Sequence, residues 1–144
     1  MAEDLKHVWA EAWPYLKKSI DSFPNVRNPY TLKGLLTDLL VHKAQLWIAW
    51  NIPEDKLYGA VVTEILTDLD RRNSRVLCIA IIGGDRLHEW AHSLWDVIRE
   101  WAIHNGCEIV VYRGRKGWSR MFGLSYVKHD EDNIPLYYRR IIKR

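Results

Sequence analysis

The chain has 144 residues, 48% hydrophobic and 27% charged, which places it among single globular domains and excludes a disordered chain. No apolar run approaches the roughly 18–20 residues that a membrane span needs, and Met1-Ala-Glu-Asp-Leu-Lys6 lacks the basic-then-apolar layout of a secretory signal. The net charge of +3 is unevenly spread, with nine Lys/Arg against three Asp/Glu in residues 113–144 and twelve against fifteen in residues 1–112.

In chain order, residues 3–21 read as a helix with Leu5, Val8, Trp9, Ala12, Trp13, Leu16 and Ile20 on one face. Pro14 interrupts it and predicts a kink or a restart, with Pro14 in a first turn. Ser22 to Tyr30, with two prolines and two asparagines, reads as a loop. Thr31 is placed to cap a second helix carrying Leu32, Leu35, Leu36, Leu39 and Leu40. Ala44 to Trp50 and Leu57 to Thr67 read as strands joined by a hairpin turn at Asn51–Asp55. Asp68 to Ser74 forms the next turn.

The clearest pattern follows. Val76 to Ile82 is a buried strand, and Gly83-Gly84-Asp85 a turn. From Arg86 to Asn105 a helix places Leu87, Trp90, Ala91, Leu94, Trp95, Ile98, Trp101 and Ala102 on a single 3.6-period face. Asn105-Gly106 supplies the stop, and Glu108 to Tyr112 is a second buried strand. Strand, helix and strand form a βαβ unit with parallel strands. A short helix within Gly114 to Gly123 comes next. Strands at Leu124–His129 and Leu136–Ile142 flank the acidic turn Asp130-Glu-Asp-Asn133. The order is ααβββαβαββ in one α/β (α+β) domain over residues 1–144, without repeat or linker.

Cys78 and Cys107 have no metal or redox motif beside them and read as buried thiols of a reducing compartment. Arg113, Arg115, Lys116, Trp118 and Arg120 form the densest cationic and aromatic cluster. It suits an anionic partner, be it nucleic acid, a phosphate group or an acidic protein face, or else a solvated rim around a packed Trp118. No nucleic-acid module accompanies it, so nucleic acid is not the expected partner. Eight tryptophans are many for this length. Trp9 and Trp13 suit either core packing or an interface anchor for another protein or a second copy.

The element order, with a long helix between the third and fourth strands, resembles the GNAT (N-acetyltransferase-like) fold. Residues 96–111 resemble the end of that family's central helix and the strand after it. Gly59-Ala-Val-Val-Thr-Glu64 resembles a family strand with a glycine soon after a hairpin, and Gly114 to Tyr126 a short helix and the pair normally written Gly-Phe, here Ser125-Tyr126. The tryptophans of the first helix and the string Gly114-Arg-Lys-Gly-Trp118 resemble small phage-encoded GNAT-like proteins. The likeness runs from Leu46 onward. It implies a mixed central sheet flanked by helices, with the family's first strand missing and its edge free or completed by a partner. It also implies a place in the virion or host cytoplasm.

For the cofactor, the resemblance implies acetyl-CoA, with pantetheine along the backbone of Ile81 and Ile82 and pyrophosphate at the N-terminus of the central helix. The family loop, Arg/Gln-x-x-Gly-x-Gly/Ala, falls on Arg86 to Ala91. Arg86 and Ala91 match. Glu89 replaces the central glycine with a carboxylate and counts against cofactor binding. A shifted loop would use Gly83 and Gly84 instead. The family's acid tyrosine falls on Met121, which has no proton to give; Tyr112, Tyr126 and Tyr137 are possible substitutes. Glu64 and His88 are the candidate bases, and His104 is explained by the helix dipole. No metal is implied. Two functions survive: a non-catalytic or degenerate assembly component, favoured by Glu89 and Met121, and an acetyl-CoA-dependent N-acetyltransferase acting on an amine.

Overall fold

The structure is a computed structural model and describes residues 2–21, 32–68, 74–131 and 133–142. Its elements are α1 (Ala2–Asp21), α2 (Leu32–Leu40), β1 (Gln45–Asn51), β2 (Lys56–Asp68), β3 (Ser74–Gly84), α3 (Leu87–His104), β4 (Cys107–Arg113), α4 (Lys116–Met121), β5 (Ser125–His129) and β6 (Pro135–Arg140). The order is the one read from the sequence. The expected loop at Ser22–Tyr30, the Thr31 cap and the turn at residues 69–73 lie outside the described residues.

One six-stranded sheet runs β1-β2-β3-β4-β6-β5. Of its pairs, β3 with β4 is parallel, and α3 is the crossover between them. The predicted stripe of α3 meets the sheet: Trp90, Ala91, Trp95, Ile98 and Ala102 are buried with Val61, Leu77, Ile79, Ile82 and Val110. Each large apolar side chain removed from water there contributes roughly 1.5–3 kcal/mol. On the opposite face, Ala12 and Leu16 of α1 and Leu35 and Leu39 of α2 pack with Leu57, Ala60, Val62 and Ile81. Period 2 in the strands delivers the two sets of side chains to the two helical layers.

Two local expectations need correcting. Helix α1 runs through Pro14, which lies far past the first turn, so there is no restart. Pro14 and Ala10 are both exposed, and water can reach the Ala10 carbonyl that the missing N–H would have bonded. The glycine pair is not a turn: Gly83 and Gly84 form the last rungs of β3, opposite Ala60 and Gly59. The stop expected at Asn105-Gly106 is present, with Gly106 left-handed at φ 80° and Asn105 at φ −90° donating its side-chain amide to the Trp101 carbonyl at 2.8 Å.

Two irregularities shape the functional end. Between β1 and β2, Ala49 faces Gly59 and Trp50 faces Leu57, so Tyr58 is an extra residue. Between β2 and β3, Val62 faces Ile81 and Thr63 faces Ile79, so Ala80 is extra. Bulges increase local twist and re-aim a strand.

Candidate functional site

The second bulge coincides with an opening in the sheet. Pairing of β3 with β4 ends at Ile79 opposite Tyr112, one residue before Ala80. From Ala80 to Gly84, β3 has β2 on one side and, among the described residues, no strand on the other. Strand β4 ends at Arg113 and the chain turns into α4. Those backbone donors and acceptors between Ala80 and Gly84, the stretch that includes Ile81 and Ile82, that point away from β2 can therefore take one more extended chain as an added strand.

The N-terminus of α3 closes the far end of this edge. Arg86 is its cap, held left-handed at φ 52°, ψ 48°, with no side-chain cap bond. Such a backbone costs about 1 kcal/mol or more for a non-glycine residue. Its guanidinium turns toward the β1–β2 hairpin. It donates to the Tyr58 hydroxyl at 2.7 Å and the Glu54 carboxylate at 3.4 Å, and Glu89 stands 4.0 Å away. It also lies 5.0 Å from the centre of the Tyr58 ring. Tyr58 in turn donates to Glu54. That bond holds the Glu54 carboxyl below its usual range and raises the Tyr58 phenol, while Tyr58 and the two carboxylates raise the Arg86 guanidinium.

The glycine pair also has an internal explanation. A Cβ on Gly83 would overlap the backbone carbonyl of Tyr15 in α1, and one on Gly84 would crowd Tyr58, Gly59 and Trp90. The missing side chains make room for the α1 and β2 backbones and the Trp90 ring. Trp90 donates its indole N–H to the Asp85 carbonyl at 2.6 Å and meets Trp118 of α4 at 5.8 Å between ring centres. Ala91 is fully buried against the sheet and packs there. An extended pantetheine-like chain therefore fits the free β3 edge, whereas the phosphate end, with Arg86 engaged and Glu89 in the first turn, does not fit a pyrophosphate.

The structure scatters the predicted catalytic residues. His88 is exposed in the first turn of α3. Glu64 lies opposite Cys78, five residues along β2 from Gly59, or roughly 16 Å at ~3.3 Å per residue. The two are not brought together. Met121 packs against the core. Tyr112, Tyr137 and Tyr126 form a ladder of rings at 6.0 and 5.9 Å that recedes from the opening, so of the three only Tyr112 borders it. Its hydroxyl lies beneath Gly114, and burial pushes its phenol well above the ordinary range. His104 is exposed in the last turn of α3.

The cationic cluster divides. Arg113 is ion-paired with Asp130, and Trp118 packs against Trp90 and Phe122. Arg115, Lys116 and Arg120 are exposed on and beside α4. Trp9 and Trp13 stack on each other at 5.6 Å, half-buried against the α1 side of the core. Glu54, Tyr58 and Tyr15 are the residues that sequence reasoning missed. Tyr15 donates to the Asp85 carboxylate and the Leu57 carbonyl, both at 3.2 Å, a contact between α1 and the end of β3 that no local pattern announces.

No protein-family model matches the sequence, and neither does any curated protein. Among solved structures, the chain is similar to FeeM, an N-acyl amino acid synthase from uncultured soil microbes, at 10% identity and TM-score 0.65 over 94% of this chain and 91% of that one. It is similar to an acetyltransferase of the GNAT family from Staphylococcus aureus Mu50 at 14% identity and TM-score 0.57, over 77% and 76% of the two chains. The fold is the GNAT fold. AtaTR, solved bound with AcCoA, is similar at 13% identity and TM-score 0.54, over 74% and 73%. At such identities the likeness concerns architecture, and function has to come from the site. Among the described residues, no helix of this GNAT-fold chain is long and apolar enough to cross a membrane, and no group of three or more His, Cys, Asp or Glu could hold a metal ion.

Proposed function

We propose that this protein uses the GNAT fold as a non-catalytic scaffold in a larger assembly, without acetyl transfer. The observation that carries this reading is the capture of Arg86 by Tyr58 and Glu54, with Glu89 in the first turn of α3. The cation that would meet a pyrophosphate is already neutralised, and a further carboxylate faces the same approach. A phosphate arriving there would meet like charge, which opposes binding. The core-packed Met121 leaves the family's acid position without a proton. The likeness of the first helix and the Gly114–Trp118 string to phage proteins suggests a virion as the assembly, with other virion proteins or a second copy as partners. Detection of the protein in purified particles tests that part.

A second reading, an acetyl-CoA-dependent N-acetyltransferase acting on an amine, is favoured by the free edge of β3 beyond the Ala80 bulge. Tyr112 would then border the acyl group, and His88 would be the exposed base. Calorimetric titration with acetyl-CoA and CoA, alongside Glu89→Gly, separates the two. The scaffold reading expects no micromolar binding by the unmodified protein. Micromolar binding by it would overturn that reading and call for an amine acceptor screen.

A further inference from the structure

A pocket of about 340 Å³ lies outside the sheet opening, between α3 and the β1–β2 hairpin. Its volume is in the range of about 300–1,000 Å³ typical of small-molecule sites. Trp50 of β1, Tyr58 of β2 and Trp90 of α3 supply aromatic walls, and Leu94 and Val97 add aliphatic surface. Both indoles are pinned by their own N–H groups. Trp50 donates to the Asp55 carboxylate at 3.2 Å, and Trp90 to the Asp85 carbonyl at 2.6 Å. The walls are therefore set before any ligand arrives, which lowers the entropic cost of binding one.

Among the described residues lining this pocket, Glu89 is the only charged one. Behind it stands the Arg86 network, in which Glu54 and Glu89 place two carboxylates around one guanidinium. The balance is one net negative charge at the rim. An anion would be repelled there, and a neutral apolar molecule would gain nothing from the Glu89 carboxylate, which already has Arg86 4.0 Å away. A cation set between indole rings gains from their negative π-faces as well as from the carboxylate.

We propose that this pocket binds an organic ammonium carrying an apolar, preferably aromatic body, with the ammonium at Glu89 and the body between Trp50 and Trp90. The aromatic walls lie outside the β3 edge, while Glu89 is shared with the approach to the N-terminus of α3.

The test titrates the full chain with phenethylammonium and benzyltrimethylammonium, followed by calorimetry and indole fluorescence, with 2-phenylethanol as the uncharged comparison. Saturable binding of both cations is expected, with the alcohol at least about tenfold weaker. Glu89→Gln should weaken the cations by about the same factor and leave the alcohol unchanged. Ser93→Trp, which fills the pocket from an exposed helix position, should abolish binding while the thermal midpoint stays put. Equal affinity for alcohol and ammonium would overturn the charge assignment. Cation binding that survives both substitutions, or no saturation by either cation up to millimolar concentration, would overturn the site.

Discussion

The indole of Trp90 occupies the space that any side chain on Gly59 would need, so a residue of the central helix and a residue of the second strand are fitted to each other. The ring is also fixed by its bond to the Asp85 carbonyl and cannot simply swing away. Gly59→Ala should therefore lower stability by about 1–3 kcal/mol, the usual cost of overpacking a filled core. Chemical denaturation would show it as an earlier midpoint at unchanged slope. An unchanged midpoint would mean that the ring yields freely.

Two other glycines give opposite forecasts. Gly117 lies in α4, where a Cβ would meet nothing within 4 Å, so Gly117→Ala should raise stability by up to about 1 kcal/mol through helix propensity. Gly83→Ala should destabilise, because its Cβ meets main-chain atoms of Tyr15 that cannot rotate away. Thermal melting of the pair checks both signs, and equal shifts would refute the contrast.

Burial raises the Cys78 thiol from about 9 to about 11, with the Glu64 charge adding to the effect. In the unfolded chain the thiol ionises near its ordinary value, so between about pH 9 and 11 the unfolded state sheds a proton that the folded state keeps. Stability should fall across that window by at most about 1.4 kcal/mol per pH unit. Cys78→Ala should flatten the decline in a urea series at pH 8, 9 and 10. The same burial predicts slow reaction of Cys78 with a thiol reagent at pH 8 under native conditions.

The Tyr58 hydroxyl is the main reason that the Glu54 carboxyl titrates low. A depressed folded value adds stability above the unfolded carboxylate range and loses it as pH falls through the folded value. Tyr58→Phe should therefore shrink the drop in melting temperature between pH 7 and pH 3.5, and NMR titration should find the Glu54 carboxyl higher than in the parent. It should also leave Arg86 without its 2.7 Å partner. An unmoved Glu54 titration would remove Tyr58 from the account.

How much of this was legible in the sequence differs by scale. The stripe from Leu87 to Ala102 located α3, and the flanking apolar runs located the parallel pair, because periodicity records which face is buried. The ten elements followed in order. What the sequence hid were relations between distant segments. Gly83 and Gly84 read as a phosphate turn because local patterns cannot show that α1 passes over them at Tyr15. Arg86 read as a ligand for pyrophosphate because nothing near it in the chain announces Glu54 and Tyr58, which reach it only through the hairpin register and the Tyr58 bulge. Pro14 read as a break because exposure, which lets water serve the Ala10 carbonyl, is a property of the packed helix.

The swapped order of the last two strands constrains assembly of the sheet. Strands β1 to β4 can be laid down side by side as they are synthesised, but among the described strands β5 pairs with β6 alone, and β6 is what joins it to β4. During translation β5 must wait, unpaired, for a strand made after it. A chain cut before Pro135 would lose two strands to the solvent for the deletion of one, and would leave the edge of β4 open to pairing with other chains.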